Sequence, residues 1–231
     1  YYRTNNPIDP PADFKEIFRY RYKWTGNYCI YSNRAKDIFA GSFSPLKEQV
    51  KNIPIIGKND VITENSKIEV IPVPAPVGNH YRIMWIGKAQ MSDSGRCYLI
   101  LIDGKIIGLA QLECGLKFGT DLACIWSDPA APTSNYKRLS KLILNLLCTR
   151  ELLNDFNEHF LWEHNGFTTR VFTNHAISMK YRAMFKLEKR EEDKDSDYKF
   201  KLIYHNRENI FETYREGLLN WLKKHGKDTK G

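Results

Sequence analysis

No disulfide pattern, no zinc-ligand spacing and no membrane-length apolar run occurs in this chain of 231 residues. Its five cysteines (Cys29, Cys97, Cys114, Cys124 and Cys148) are an odd number without CxxC spacing. Four of them lie inside apolar runs, which points to reduced core residues of a cytosolic protein rather than a disulfide framework. The histidines form no HxxxH or HExxH, and His159 and His164 stand five apart, so no dedicated zinc site is expected and no metal ligand is assigned. No stretch approaches the ~20 apolar residues of a membrane span. The opening YYRTNNPIDPP has no apolar h-region, no small-residue cleavage site and no initiator Met, so no secretory signal is visible and a cytoplasmic location is expected.

What is present is an ordinary globular composition with a basic excess. Hydrophobic residues at 42% and charged residues at 27% suit one elaborated domain with a sizeable core. A net charge of +8 raises the local concentration of polyanions, nucleic acid above all. The charge is uneven. EKREEDKDSD (188–197) mixes both signs as a solvated turn does, whereas YKRLSK (136–141) and KYR (180–182) interleave cations with tyrosine.

Along the chain, residues 1–13 read as a polar, proline-rich arm, and the segment 14–50 suggests one or two helices broken at Gly26 and near Pro45. KIEVIPV (67–73) alternates as a half-buried strand, and a helix is expected around His80 to Trp85. CYLILIDGKIIGLAQLEC carries the strongest hairpin signal, two β-branched runs joined at Asp103-Gly104. DLACIWSD is a buried strand leading to a loop in which Thr133 or Ser134 could cap the next helix. In that helix Leu139, Leu142, Ile143, Leu146 and Leu147 make one apolar face, while Lys137, Lys141 and Asn145 line another. A helix or loop over 150–166, the strand RVFTN, a short helix AISMKYRAM, the strands FKLEKRE and YKFKLIYH, and an amphipathic helix NIFETYREGLLNWLKKH complete the order. Three parts are expected: an N-terminal arm and helical extension (1–66), a core (67–205) and a C-terminal helix (206–231).

This order is an α+β, mixed-sheet architecture that resembles the GNAT acyltransferase fold, whose sheet splays between its fourth and fifth strands to admit a donor thioester. The resemblance implies that LACIWSD is the fourth strand and TRVFT the fifth. It further implies that the donor's pyrophosphate sits on backbone N–H groups at the next helix N-terminus, and that Tyr181 is the tyrosine protonating the leaving group. GNAT enzymes usually carry glycines in the pyrophosphate loop, and PTSNYKRLSK has none. Coenzyme A is therefore expected to bind weakly or not at all, and the donor is left as acetyl-CoA or another activated group such as aminoacyl-tRNA.

A narrower resemblance rests on DPAAPTSNYKRLSKLIL, TRVFTNHAISMKYRAMFKL and NHYRIMW. These segments look like those of the phage Mom family, GNAT-related proteins that add a carbamoylmethyl group to the adenine amino group of DNA and protect it from restriction. It implies a DNA partner, a flipped adenine and a location in a bacterial or phage-infected cell. Tyr181, Asp128, His80 and Tyr81 are the catalytic candidates. Ser134, Tyr136, Arg138, Ser140 and Lys141 are candidates for holding the donor, and Lys137, Ser178, Lys180 and Arg182 for holding DNA. Two alternatives stay open: an N-acetyltransferase acting on a small amine or protein, and a nucleic-acid-binding module without catalysis.

Overall fold

Asp103 and Gly104 both take positive φ (51° and 73°), as a type I′ turn requires, and they join the two strands expected around them. The computed structural model describes residues 53–86, 95–192 and 198–227, together with the backbone of three strands in the N-terminal part. The chain divides into two compact units, residues 1–52 and 53–231.

In the first unit, β1 (Tyr2–Thr4), β2 (Lys15–Tyr22) and β3 (Gly26–Ser32) form a three-stranded antiparallel sheet in the order β1-β3-β2. This corrects the expected helices over residues 15–32. Phe18, Tyr20 and Tyr22 alternate with Arg19 and Arg21, a period of two in aromatic-rich sequence, and that period favours a strand over a helix. The remainder of the expected helical segment, 33–50, lies outside the described residues, as does 193–197, half of the expected charged turn 188–197, whose other half is strand.

The second unit is built on a seven-stranded sheet. Its strands are β4 (Ile68–Val73), β5 (Arg96–Ile102), β6 (Lys105–Glu113), β7 (Ala123–Ser127), β8 (Phe167–Thr173), β9 (Lys186–Glu192) and β10 (Phe200–Asn206), in the order β4-β5-β6-β7-β8-β10-β9. Pro72 lies in β4, an edge strand, where its missing N–H costs the ladder nothing. Every pairing is antiparallel except β7 with β8. That parallel pair needs a crossover, supplied by α2 (Leu139–Leu147) and α3 (Arg150–Phe160). Helix α1 (Ala75–Ile86) follows β4, starting five residues before His80, and α4 (Tyr214–His225) closes the chain. No helix among the described residues is long and apolar enough to cross a membrane.

Helix α2 is the centre of the core. Leu142, Ile143, Leu144, Leu146 and Leu147 are all fully buried, and Asn145, expected on a polar face, is buried too. Its side-chain amide donates to the Gly217 carbonyl of α4 at 3.0 Å, so the apparent polar face is a helix–helix contact. Helices α3 and α4 start at threonines whose hydroxyls accept from Leu152 N–H (Thr149) and Glu216 N–H (Thr213). Cys97, Cys124 and Cys148 are buried and free, and Cys114 is free and half-buried.

Two local expectations are corrected. Neither Thr133 nor Ser134 caps α2, whose N-cap is Arg138 without a side-chain bond. The Thr133 hydroxyl donates to the Ile56 carbonyl, and Ser134 accepts from the Tyr136 N–H within the loop. The expected helix AISMKYRAM is a series of turns. Ala183 adopts φ 77°, a left-handed conformation that a continuing α-helix excludes.

Candidate active site

Strands β7 and β8 pair over only three residues, ending at Ile125 opposite Thr169. Beyond that point β7 stays with β6, Ser127 facing Gln111, while β8 stays with β10 through to Thr173. The two strands therefore part, and the Thr169 hydroxyl donates to the Ile125 carbonyl at 3.0 Å where the ladder stops. This is the splay expected from the resemblance.

Asp128 follows β7 at this opening and is buried. The turns after β8 bring Tyr181 to it, and the phenol donates to Asp128 Oδ1 at 3.0 Å. Lys180 Nζ lies 2.8 Å from the same oxygen and also donates to the Asp128 backbone carbonyl at 2.8 Å. The second carboxylate oxygen, Oδ2, is buried and has no hydrogen-bond partner among the described residues. An open buried acceptor of this kind costs free energy in the resting fold. Tyr181 is itself buried, stacked on Tyr204 (5.7 Å) and edge-on to Phe185 (5.5 Å). Burial, and then the negative charge of Asp128, hold its hydroxyl well above the ordinary phenol range, so it carries its proton at neutral pH.

The second part of the site is the N-terminus of α2. No acidic side chain occupies the first turn of α2, and the leading N–H groups of a helix have no partner within it. Lys141 Nζ donates to the Arg182 carbonyl at 2.7 Å, tying this helix end to the turns that hold Tyr181. Burial first, then the charges of Arg138, Lys224, Arg182 and Lys180, lower the Lys141 ammonium to about 8. Five cations thus crowd a helix end that already favours anions. The Trp221 indole N–H donates to the Arg138 carbonyl at 2.9 Å, so α4 anchors this corner.

The other candidates fall as follows. Tyr136 is buried edge-on to Trp221, and its hydroxyl accepts from the Ile62 N–H at 2.9 Å, a clamp on the loop. Ser134 is buried in its turn. Lys137 and Arg138 are exposed and Ser140 is half-buried at the helix end. The Ser178 N–H donates to the Tyr204 hydroxyl, Arg182 is exposed, and Lys180 is engaged by Asp128. On α1, His80 is exposed and in edge contact with buried Tyr81, which packs on Trp85. The residue that ties α1 to the opening is one that sequence reasoning passed over: Arg82, whose Nε donates to the Ser127 hydroxyl at 3.0 Å. Lys224 and Thr169 were passed over as well, since a lysine on an amphipathic tail and a threonine within a strand carry no local signal.

The residues fit an anionic donor in part. A helix N-terminus and cations suit a diphosphate, but Arg138 and Ser140 put side chains on the helix end where glycines would let a phosphate reach the backbone. No functionally curated protein matches the sequence. Among solved structures, a Bacillus subtilis acetyltransferase in complex with CoA is similar with a TM-score of 0.44 at 10% identity, over 62% of this chain and 99% of that one. An acetyltransferase of the GNAT family from Desulfovibrio desulfuricans gives 0.42 at 14% identity, over 61% and 99%. A GNAT family acetyltransferase from Elizabethkingia anophelis with acetyl-CoA bound gives 0.41 at 11%, over 61% and 98%. The profile of the phage GNAT-like domain matches residues 65–226, well over half of the sequence and inclusive of α4, and the chain belongs to that family.

Proposed function

We propose that this domain is a group transferase acting on DNA, modifying the adenine amino group in the manner that the Mom resemblance implies. The observation that carries the reading is the buried, unpartnered Oδ2 of Asp128, beside a protonated Tyr181 at the point where β7 and β8 part. That oxygen is closed to solvent in this structure but keeps unused acceptor capacity at the splay, which suits it to an N–H of an amine bound there.

The residues then close a proton cycle. As the new N–C bond forms and the donor bond breaks, the amine proton passes to Asp128 and the Tyr181 proton passes to the leaving group. The Asp128 carboxyl then gives up a proton to the neighbouring Tyr181 oxygen, and both residues end as they began. Lys180 holds the carboxylate oriented, and its charge offsets the cost of burying that group. The α2 N-terminus with Arg138 and Lys141 supplies binding for the anionic part of a donor, either a coenzyme A thioester or an aminoacyl-tRNA. A bound donor would bring the activated group to be transferred.

Nucleoside mass spectrometry of DNA from cells expressing the protein tests the reading. An adduct on deoxyadenosine is expected, lost in the Tyr181→Phe variant. DNA without any adduct, together with acetylation of a small amine or a protein, would move the assignment to the N-acetyltransferase alternative.

A further inference from the structure

Strand β7 buries Ala123, Cys124, Ile125 and Ser127 but leaves Trp126 47% exposed. A single half-exposed indole is ordinary on a protein surface, but its neighbours here are an exposed cation and a second ring. Trp126 and Arg170 are the first residues beyond the last β7–β8 pair, Ile125 with Thr169, and so they flank the mouth of the splay. Phe118, from the 3₁₀ turn Gly115–Phe118, joins them. Its ring lies near-parallel to Trp126 (13°, centroids 6.3 Å apart), and the Arg170 guanidinium sits 4.6 Å from its centroid. Arg170 is exposed and has no carboxylate partner among the described residues. Phe118 and Arg170 also wall a cavity of about 300 Å³ over Cys124 and Thr168, with Glu188 and His205 at its side.

The geometry points to this aromatic and cationic column as a stacking platform for an unpaired base of a DNA strand, on the acceptor side of the splay. The inference rests on the DNA-directed reading above and extends it to how the acceptor is held. Charge and ring chemistry select the occupant. An apolar helix would leave the Arg170 guanidinium without an acceptor, whereas a DNA strand offers a flat π-face to Trp126 and a phosphate to Arg170. In a chain of net charge +8, a polyanion is the complementary partner.

Fluorescence anisotropy with a labelled single-stranded oligodeoxynucleotide, and with its duplex, tests this on the full chain. Trp126→Ala is expected to weaken single-strand binding roughly 5- to 100-fold, the usual effect of removing one stacking side chain. It should leave the salt slope unchanged, and Trp126→Phe should restore most of the affinity. Arg170→Ala should lower the salt slope by about one contact. If Trp126→Ala binds single strands as the wild type does while Lys137, Arg138 and Lys141 substitutions abolish binding, the platform is refuted and the DNA-directed reading stands. If the wild type binds neither form, both fall. A sedimentation shift from dimer to monomer in Trp126→Ala, without change in DNA affinity, would make this face a self-association surface and overturn the platform.

Discussion

Replacing Tyr181 by Phe removes one hydroxyl and nothing else. The ring keeps its stack on Tyr204 and its edge contact with Phe185. Asp128 Oδ1 loses a donor but keeps Lys180 at 2.8 Å, so the carboxylate is not left bare. A hydrogen bond to a charged group contributes about 1.5–3 kcal/mol, and the surviving Lys180 contact places the cost at the lower end. For a domain of this size that lowers Tm by ~3–6 °C, which leaves the protein folded at assay temperature. The proton cycle, however, has lost its donor, and removing a general acid costs ~10²–10⁴ in rate. The two readouts therefore separate: modified deoxyadenosine should fall at least ~10²-fold while thermal unfolding moves by a few degrees. Modification at the wild-type level in a folded variant would refute the role of Tyr181. Loss of activity only in step with unfolding would reduce the residue to a packing element.

Asp128→Asn should abolish modification as well, because an amide cannot take the amine proton, and the same nucleoside analysis reads it. Calorimetric titration with coenzyme A should show weak binding or none, given Arg138 and Ser140 at the helix end; micromolar affinity would show that the missing glycines do not matter. Alanine at Lys137, Arg138 and Lys141 together should lower the salt slope of single-strand binding by about two, read from affinities over a salt series. Lys141, held near 8 against an ordinary 10.5, lies below its unfolded value, so the unfolded chain binds the extra proton between those pH values. Its share of stability therefore rises with pH across that window, and Lys141→Met should flatten that part of the Tm–pH curve. Anion binding runs the other way, weakening above pH 8 as Lys141 loses its charge. Gly217→Ala would set a methyl 2.8 Å from the Asn145 carbonyl oxygen, and chemical denaturation should record a loss of about 1–3 kcal/mol as α4 is pushed from α2.

Where one local rule decides an element, the sequence was legible. Asp103-Gly104 specified its hairpin, and the leucine spacing specified α2. Reading failed where two rules compete. In β2 the charged residues between aromatics suit a solvated helix face, yet their period of two suits a strand, and the strand prevails. At residues 174–185 the good helix formers Met179 and Lys180 are overridden by tertiary demands: Tyr181 and Lys180 both reach Asp128, while Ala183 turns left-handed to return the chain to β9. The site was half legible. Tyr181 and Asp128 could be paired through a fold resemblance, but nothing local announces that Lys180 bridges them. Arg82, Trp126 and Lys224 come from three separate elements, and nothing local in any of them announces its contact with Ser127, Phe118 or Lys141.

The place where the sheet opens and the place where anions are favoured are joined by few contacts, and those contacts suggest why the loop between them can do without glycine. Trp221 from α4 fixes the Arg138 carbonyl, Tyr136 fixes the Ile62 N–H, and Lys141 fixes the Arg182 carbonyl. Each ties the α2 N-terminus or the loop before it to a different element, which restricts that helix end at three points. A glycine loop gains close approach of the backbone to a phosphate and gives up that restriction. Here Arg138 and Lys141 can reach an anion that stands farther out, trading backbone contact for charge. A bulky polyanion is better served by that exchange than a compact diphosphate. On the proposed reading an aminoacyl-tRNA or the DNA strand would suit this corner better than coenzyme A, and the calorimetric titration with coenzyme A tests that preference.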